Sequence, residues 1–148
     1  MDAQGAYAGL RVLDLGQGVA APYCAMLLAM HGAEVIKLEP LAGDWSRGLG
    51  MRYGDHTAMS AHYNRGKRSL ALDLKAPAAR EIALSLAARA DIVIEGFRPA
   101  SPLGSALVTT SCGRAIRGFS MSRSAALASR ALMSICPAPI PSRRPSPG

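Results

Sequence analysis

Residues 10–39 read LRVLDLGQGVAAPYCAMLLAMHGAEVIKLE, and they decide the predicted fold class. The apolar run Leu10–Leu15 is bounded by glycines, which is typical of a buried strand. Pro22 suits the first turn of a helix, and the Ala, Met and Leu residues that follow favour helix as far as His31. Since Glu34–Glu39 has the composition of a second strand, this stretch predicts a β-α-β unit whose two strands are parallel.

The same alternation of strand and helix continues along the chain. A third strand is predicted at Arg68–Leu74, a helix from Pro77 to about Ala90, and a fourth strand at Asp91–Glu95. A glycine-rich loop, Ala42–Gly54, separates the β-α-β unit from the third strand. Strands that alternate with helices of this length predict an α/β fold with a Rossmann-like, doubly wound parallel sheet.

Asn64–Arg68, with the sequence NRGKR, places three cations around one glycine just before the third strand. Gly66 allows a turn with positive φ, and cations beside it can converge on a phosphate. The alternative is a solvated basic turn, because the segment lacks the glycine pattern of a P-loop. Ligands of such sheets bind beyond the carboxyl ends of the strands, where Gly16–Gly18, Pro40 and Gly96–Pro99 would lie. The basic segment must fold back to join them.

Six of the seven units of the formal net charge of +7 belong to the last third of the chain. All 10 acidic residues lie within residues 1–100, against 11 Lys and Arg, whereas residues 101–148 hold 6 Arg and no acid. These last residues also contain 10 Ser and 6 of the 10 Pro, with no clean periodicity outside Ala125–Ile135. We therefore predict an α/β portion over residues 9–100 and an irregular tail over 101–148, with 136–148 disordered. Any helix at Ala125–Ile135 would be incidental.

The composition of the tail is that expected when GC-rich DNA is read in the wrong frame. Phe119–Ala128 can be back-translated so that a shifted frame reads QYVAISGFG, a strand-and-glycine pattern. The hypothesis is that residues from about 101 onward are frameshifted, and sequencing the gene tests it.

Cysteine spacing and hydropathy exclude several classes of protein. The three cysteines are widely spaced, which predicts neither a disulfide framework nor a zinc site. The spacings of 25 and 6 between His31, His56 and His62 match no common metal pattern. No signal peptide is predicted, and no apolar stretch reaches about 18 residues, so the expected location is cytoplasmic with no membrane partner.

Six segments of residues 9–100 resemble the N-terminal part of family III CoA-transferases, the carnitine/bile-acid CoA-transferase group, which includes α-methylacyl-CoA racemases. They are GLRVLDL (9–15), APYCAMLL (21–28), GAEVIKLEP (32–40), GDWSR (43–47), NRGKRSLALDLK (64–75) and DIVIEGFRP (91–99). The resemblance implies a Rossmann-like portion that binds coenzyme A, acyl-CoA and carboxylate substrates, and an interlocked homodimer. It implies neither a metal nor a nucleic-acid partner.

The resemblance also implies three groups of residues that contact CoA. The group near the thioester and pantetheine arm is Gly18, Val19 and Ala20. The group facing the adenosine and phosphate end is Asn64, Lys67 and Arg68. The group that walls the adenine or pantetheine side is Gly96, Phe97 and Arg98.

Catalysis in this family needs residues that the resemblance does not supply here. In the transferases an aspartate carboxylate attacks the acyl-CoA thioester and then carries CoA as an enzyme-bound thioester, whereas the racemases use a His and an Asp to exchange a proton. In both, these residues lie downstream of the FRP segment, and no Asp, Glu or His follows Glu95. We therefore expect no catalytic residue and a truncated, inactive transferase. A racemase-type fragment and a non-catalytic CoA- or nucleotide-binding module are the alternatives.

Other polar and aromatic residues have a structural and a functional interpretation. Asp14 and Glu39 could act in acid-base chemistry, but strand-end hydrogen bonding is the favoured interpretation. Trp45 and Tyr63 could stack on adenine or pack over the core. Cys24 lies on the apolar helix, which predicts a buried, inert thiol.

Overall fold

The structure, a computed structural model, describes residues 5–95 and the backbone of residues 132–135. In chain order its elements are β1 (Arg11–Asp14), α1 (Ala20–Met30), β2 (Glu34–Glu39), a 3₁₀ turn (Trp45–Gly48), β3 (Arg52–Tyr53), β4 (His56–Thr57), α2 (Ala58–Tyr63), β5 (Arg68–Ala71), α3 (Pro77–Arg89), β6 (Ile92–Glu95) and β7 (Leu132–Ile135). The predicted α/β class is confirmed.

The strands of the main sheet follow the order β5-β2-β1-β6-β7. The β1 strand pairs in parallel with β2 and with β6, and β2 pairs in parallel with β5. In this register Asp14 is opposite Lys37, and Arg68 is opposite Ile36. All four predicted strands are therefore present, and the carboxyl ends of the two central ones bring Asp14 and Lys37 side by side.

Helices cover both faces of the sheet, as a doubly wound fold requires. The α3 face is apolar and is built from Leu13, Leu15, Leu38 and Val93 of the sheet with Ala83 and Ala87 of α3. The α1 face is built from Val12, Val35, Ile92 and Ile94 with Ala21 and Ala25 of α1. Because successive side chains of a strand point to opposite faces, Asp14, Lys37 and Glu39 continue the α1 face. All three are buried, so this face turns from apolar to charged towards the carboxyl ends of its strands.

Several boundaries and elements differ from the sequence prediction. The third strand ends at Ala71 rather than Leu74, and Leu72 and Leu74 then pack on the α3 face. The predicted loop Ala42–Gly54 contains the 3₁₀ turn and β3, and it is followed by β4 and α2. The start of α2 is fixed by a capping box in which Thr57 and Ser60 each accept a backbone N–H of the other.

One element lies in the segment predicted to be irregular. Leu132–Ile135 pairs antiparallel with β6, with Ile92 opposite Ile135. The irregular tail predicted over residues 101–148 thus contains one short strand, at the last four residues of the patch Ala125–Ile135. The open edge of β6 offers backbone groups that an extended segment can pair with. Residues 136–148, the group Gly96, Phe97 and Arg98, and most of the proposed frameshifted tail lie outside the described residues.

Candidate functional site at the carboxyl edge of the sheet

Four buried charged side chains meet beneath the start of α1, and we call Asp14, Lys37, Asp44 and Lys67 the charged cluster. Each of the four side chains is 1% exposed or less. Lys67 Nζ lies 2.7 Å from Asp14 Oδ2, and Lys37 Nζ lies 2.8 Å from Asp44 Oδ2. The second contact is an ion pair rather than a well-aligned hydrogen bond. A third contact of 3.9 Å joins Lys37 to Asp14. Two cations balance two anions, which meets the requirement that buried charges be paired.

Every member of the charged cluster also forms a hydrogen bond with a backbone group in the segment that leads from β1 into α1. Asp14 Oδ1 accepts the Gly16 N–H at 2.9 Å, and Lys37 Nζ donates to the Gly16 carbonyl at 2.7 Å. Asp44 Oδ1 accepts the Gly18 N–H at 2.9 Å. Lys67 Nζ donates to the Pro22 carbonyl at 2.7 Å. We call residues 16–19 the β1–α1 loop, and Pro22 lies in the first turn of α1.

The environment shifts the ionisation of the charged cluster. Burial alone would raise the pKa of Asp44, but the Lys37 ammonium and the Ser46 and Gly18 amides outweigh it and lower that pKa below its ordinary value. Burial lowers the pKa of Lys67, and the Asp14 carboxylate opposes that shift. Asp44 is therefore held as the anion that Lys37 requires.

The first predicted group, Gly18, Val19 and Ala20, forms the end of the β1–α1 loop and the first residue of α1. Gly18 has φ of 79° and is buried under the indole of Trp45, which a Cβ at this position would strike. Only glycine fits such a close approach at positive φ. Val19 and Ala20 are exposed. Trp45 packs over Gly18 and stays 55% exposed, so part of its indole faces solvent.

The second predicted group, Asn64, Lys67 and Arg68, does not converge on one external point. Asn64 ends α2, donates from Nδ2 to the Ser60 carbonyl at 2.9 Å, and accepts from Lys67 Nζ at 3.2 Å. Lys67 points inward, and its three hydrogen bonds use all the donors of an ammonium. The prediction that cations beside Gly66 converge on a phosphate therefore does not extend to Lys67. Arg65 and Arg68 are exposed and have no side-chain partner within the described part of the chain.

Gly66 does take the predicted positive φ, 77°, and the turn around it directs Lys67 towards β1. Residue type and spacing alone do not tell an outward lysine from an inward one. The signal for the inward direction was the unmatched carboxylate of Asp14 on a strand with both faces covered.

A second set of polar contacts surrounds Glu39, where β2 ends. Arg47 donates to both carboxylate oxygens of Glu39, at 2.7 and 3.1 Å, and the Asp44 N–H donates at 2.8 Å. The Ser69 hydroxyl donates to the same carboxylate. Burial alone would raise the pKa of Glu39, but the Arg47, Ser69 and Asp44 hydrogen bonds lower it below its ordinary value. Strand-end hydrogen bonding therefore accounts for Glu39, as it does for Asp14.

An open groove of about 370 Å³ runs along the carboxyl edge on the α3 side of the sheet. Its walls are apolar, from Leu15, Leu38, Leu41, Leu72 and Leu74, and its polar residues are Gln17, Glu39, Asp73 and Lys75. The Lys75 ammonium has no side-chain partner in the described part of the chain. Gln17 places one end of the groove at the β1–α1 loop. The groove was not predicted, because Leu72 and Leu74 were assigned to a strand.

The remaining candidate residues have local partners. His31 contacts the ring of Tyr7 edge-on, and His56 Nδ1 lies 3.0 Å from an Arg47 nitrogen. His56 lies in β4 and His62 in α2. No group of three His, Cys, Asp or Glu that could hold a metal is found among residues 5–95 and 132–135.

Cys24 is half-buried, and burial raises the pKa of its thiol. Tyr63 contacts Tyr23 edge-on. Within the described residues, no helix is long and apolar enough to cross a membrane.

Lys37 and Asp44 are the members of the site that sequence reasoning missed. Lys37 occupies an alternate position of a strand, which is typical of a solvent-facing side chain. In a sheet covered on both faces the same position is buried, so a charge there needs a partner. The predicted doubly wound fold thus contained the signal, although nothing in the spacing pointed to Asp44.

Comparison with known proteins identifies the family to which this sequence is similar. The sequence model of CoA-transferase family III matches residues 7–107. Succinyl-CoA:mesaconate CoA-transferase from Haloarcula hispanica is 50% identical over 99 residues, which cover 64% of this chain and 25% of that protein. The alpha subunit of succinyl-CoA–L-malate CoA-transferase from Chloroflexus aurantiacus is 42% identical over 94 residues, covering 62% of this chain and 22% of the subunit.

The likeness extends to solved structures. A CaiB/BaiF family protein from Brucella suis superposes with a TM-score of 0.62 at 32% identity, over 74% of this chain and 32% of the other. The chain thus spans about a quarter of the length of these curated relatives.

Proposed function

Because this chain belongs to CoA-transferase family III, we propose that its α/β portion binds the coenzyme A part of an acyl-CoA. In the intact reaction CoA passes from the acyl-CoA to a carboxylic acid. The observation that carries the proposal is the groove at the carboxyl edge, where parallel sheets of this class bind their ligands.

The chemistry of the groove suits the two ends of CoA. Its leucine walls offer apolar surface to an adenine ring or a pantetheine chain. Lys75 at the rim offers an ammonium without a side-chain partner in residues 5–95 or 132–135, which suits a phosphate. Gln17 connects the groove to the β1–α1 loop, so a ligand anchored at Lys75 extends towards Val19 and Ala20, the predicted thioester end.

The roles proposed for individual residues change accordingly. Arg68 remains a candidate phosphate ligand because its side chain is exposed. Lys67 and Asn64 act indirectly, since their polar groups are engaged with each other, Asp14 and the backbone. The group Gly96, Phe97 and Arg98 keeps its proposed place beside the adenine or pantetheine.

The proposal assigns no catalytic residue to this chain. Residues 96–148 contain no Asp, Glu or His that could act as nucleophile or base downstream of the binding portion. We therefore expect the isolated chain to bind acyl-CoA without turnover. The curated relatives are named as CoA-transferases, which does not favour the racemase-type alternative. The interlocked homodimer and the cytoplasmic location stay predictions from the sequence.

Calorimetric titration of the full chain with CoA and with pantetheine tests the proposal. Lys75→Ala should raise the Kd for CoA at least about tenfold, because a charge-assisted hydrogen bond contributes roughly 1.5–3 kcal/mol. Its Kd for pantetheine, which has no phosphate, should not change. Arg89→Ala removes one exposed cation at the far end of α3 and is the matched control. Failure of the unaltered chain to bind CoA would overturn the proposal.

A further inference from the structure

The charged cluster acts on a single short segment of main chain. Its members come from four places in the sequence, yet each hydrogen-bonds a backbone group between Gly16 and Pro22. Cross-contacts of 2.7 and 2.8 Å then tie the four side chains into two ion pairs. A loop that contains two glycines is thereby held at both glycines and at the first turn of the helix.

Stability alone is a poor explanation for this arrangement. Well-packed apolar residues often stabilise a fold as well as a buried ion pair does, because desolvation offsets the attraction between the charges. Two residues earlier in the same two strands, this face of the sheet uses the apolar pair Val12 and Val35. What charged groups add is direction, since each fixes a particular N–H or C=O group.

The cluster also decides which backbone groups a ligand can reach. The N–H groups of Gly16 and Gly18 are consumed by Asp14 and Asp44. The indole of Trp45 covers Gly18. Val19 and Ala20 are left exposed at the start of α1.

We infer that Lys37 and Asp44 are positioning residues, which hold the β1–α1 loop so that Val19 and Ala20 face the acyl-thioester end of the ligand. The inference rests on the proposed function for the identity of that ligand. It assigns Lys37 and Asp44 no contact with substrate. Their effect passes through the Gly16 carbonyl and the Gly18 N–H.

The test compares two double variants of the full chain. Lys37→Met/Asp44→Asn removes one charge of each sign and leaves an acceptor for the Gly18 N–H. Arg11→Met/Asp91→Asn makes the same change at the amino end of β1, where the Arg11 side chain is 56% exposed and neither side chain bonds the β1–α1 loop. Lys37→Arg keeps the cation and serves as the conservative variant.

Amide hydrogen exchange is measured first, without ligand. The Gly16 and Gly18 amides should exchange at least about tenfold faster in Lys37→Met/Asp44→Asn, because local opening sets the exchange rate. These amides should keep the original exchange rate in the Arg11→Met/Asp91→Asn control. In Lys37→Arg, which retains Asp44, they should keep most of their protection from exchange. The emission of Trp45, the only tryptophan of the chain, should shift in the first variant alone.

Binding is measured next, with acetyl-CoA and with adenosine 3′,5′-bisphosphate. We expect the Kd for acetyl-CoA to rise about tenfold, a loss of the size seen when a partner that orients a metal ligand is removed, and the Kd for the bisphosphate to stay unchanged. Equal losses for both ligands would overturn the positioning role. Unchanged exchange at Gly16 and Gly18 would overturn the inference whether or not the ligands bind. If exchange accelerates but the unaltered chain binds neither ligand, the loop contact stands and the proposed function fails.

Discussion

The two faces of the sheet solve the same burial problem in different ways. Leu13 and Asp14 are adjacent on β1, both are buried, and they point to opposite faces. Below α3, Leu13 lies among Leu15, Leu38 and Val93, where any apolar side chain of similar volume would serve. Below α1, Asp14 lies between two lysines, and each of its oxygens has a specified donor or cation. Side-chain volume therefore determines which residues fit the α3 face, whereas hydrogen-bond geometry determines them on the α1 face. Only the α1 face borders the predicted thioester end.

The largest loss of stability is expected when one buried charge of the α1 face is removed. Lys37→Met leaves Asp44 buried without its cation, so the free energy of unfolding should fall by about 3–5 kcal/mol. Urea denaturation followed by circular dichroism measures the change. A loss as small as that of an exposed lysine would show that the cluster tolerates an unpaired carboxylate.

A cavity on the apolar face should cost somewhat less. Leu13→Ala removes buried methyl groups and should lower the free energy of unfolding by about 3 kcal/mol. In the same variant, hydrogen exchange at the Gly16 and Gly18 amides should accelerate only as much as the lower global stability requires. Selective acceleration at those two amides would mean that the faces are coupled, and the contrast between them would not hold.

Acid should weaken the molecule through the buried carboxylates Asp44 and Glu39 on the α1 face. The folded-state pKa values of Asp44 and Glu39 lie below their ordinary values, so their contribution is complete above about pH 4.5 and is lost as pH falls through the folded pKa values. Thermal melts between pH 7 and pH 3 measure the slope. Asp44→Asn should flatten it, whereas Leu13→Ala should lower Tm by a similar amount at every pH. If Tm of Asp44→Asn depended on pH as steeply as Tm of the original chain, Asp44 would not be a source of the acid sensitivity.

The smallest effect is expected from the exposed ion pair at the other end of β1. Arg11 and Asp91 lie 3.2 Å apart, and the Arg11 side chain is 56% exposed. Exposed pairs contribute little because water screens them. Arg11→Met should therefore leave Tm within the error of the measurement. A clear loss would indicate that β1 depends on charge along its whole length.

The fold was largely readable from the sequence, and the site was not. Short apolar runs such as Leu10–Leu15 and Asp91–Glu95 are typical of buried strands, and proline and glycine bracket the helices, so element type and order were predictable. Lys37 was not placed, because alternation alone treats a charge in a strand as solvent-facing. Lys67 was placed outward for the same reason, since a basic turn carries no mark of the carboxylate that it meets 53 positions away.

Segments that depend on tertiary contacts were also missed. The β3 and β4 strands are two residues each, too short to show a period. The α2 helix has six residues, and its capping box joins two small polar residues rather than the Glu or Gln that usually marks one. The antiparallel strand β7 forms against an edge that β6 leaves open, a condition that no local pattern contains.

The composition of the charged cluster has a consequence for the order of folding. Its members stand at positions 14, 37, 44 and 67, so the last ion pair closes only after four separate segments have come together. A lysine that is buried before its carboxylate arrives would lose its hydration without compensation, so the apolar α3 face should assemble first. The β1–α1 loop would then be the last part of the molecule to become ordered.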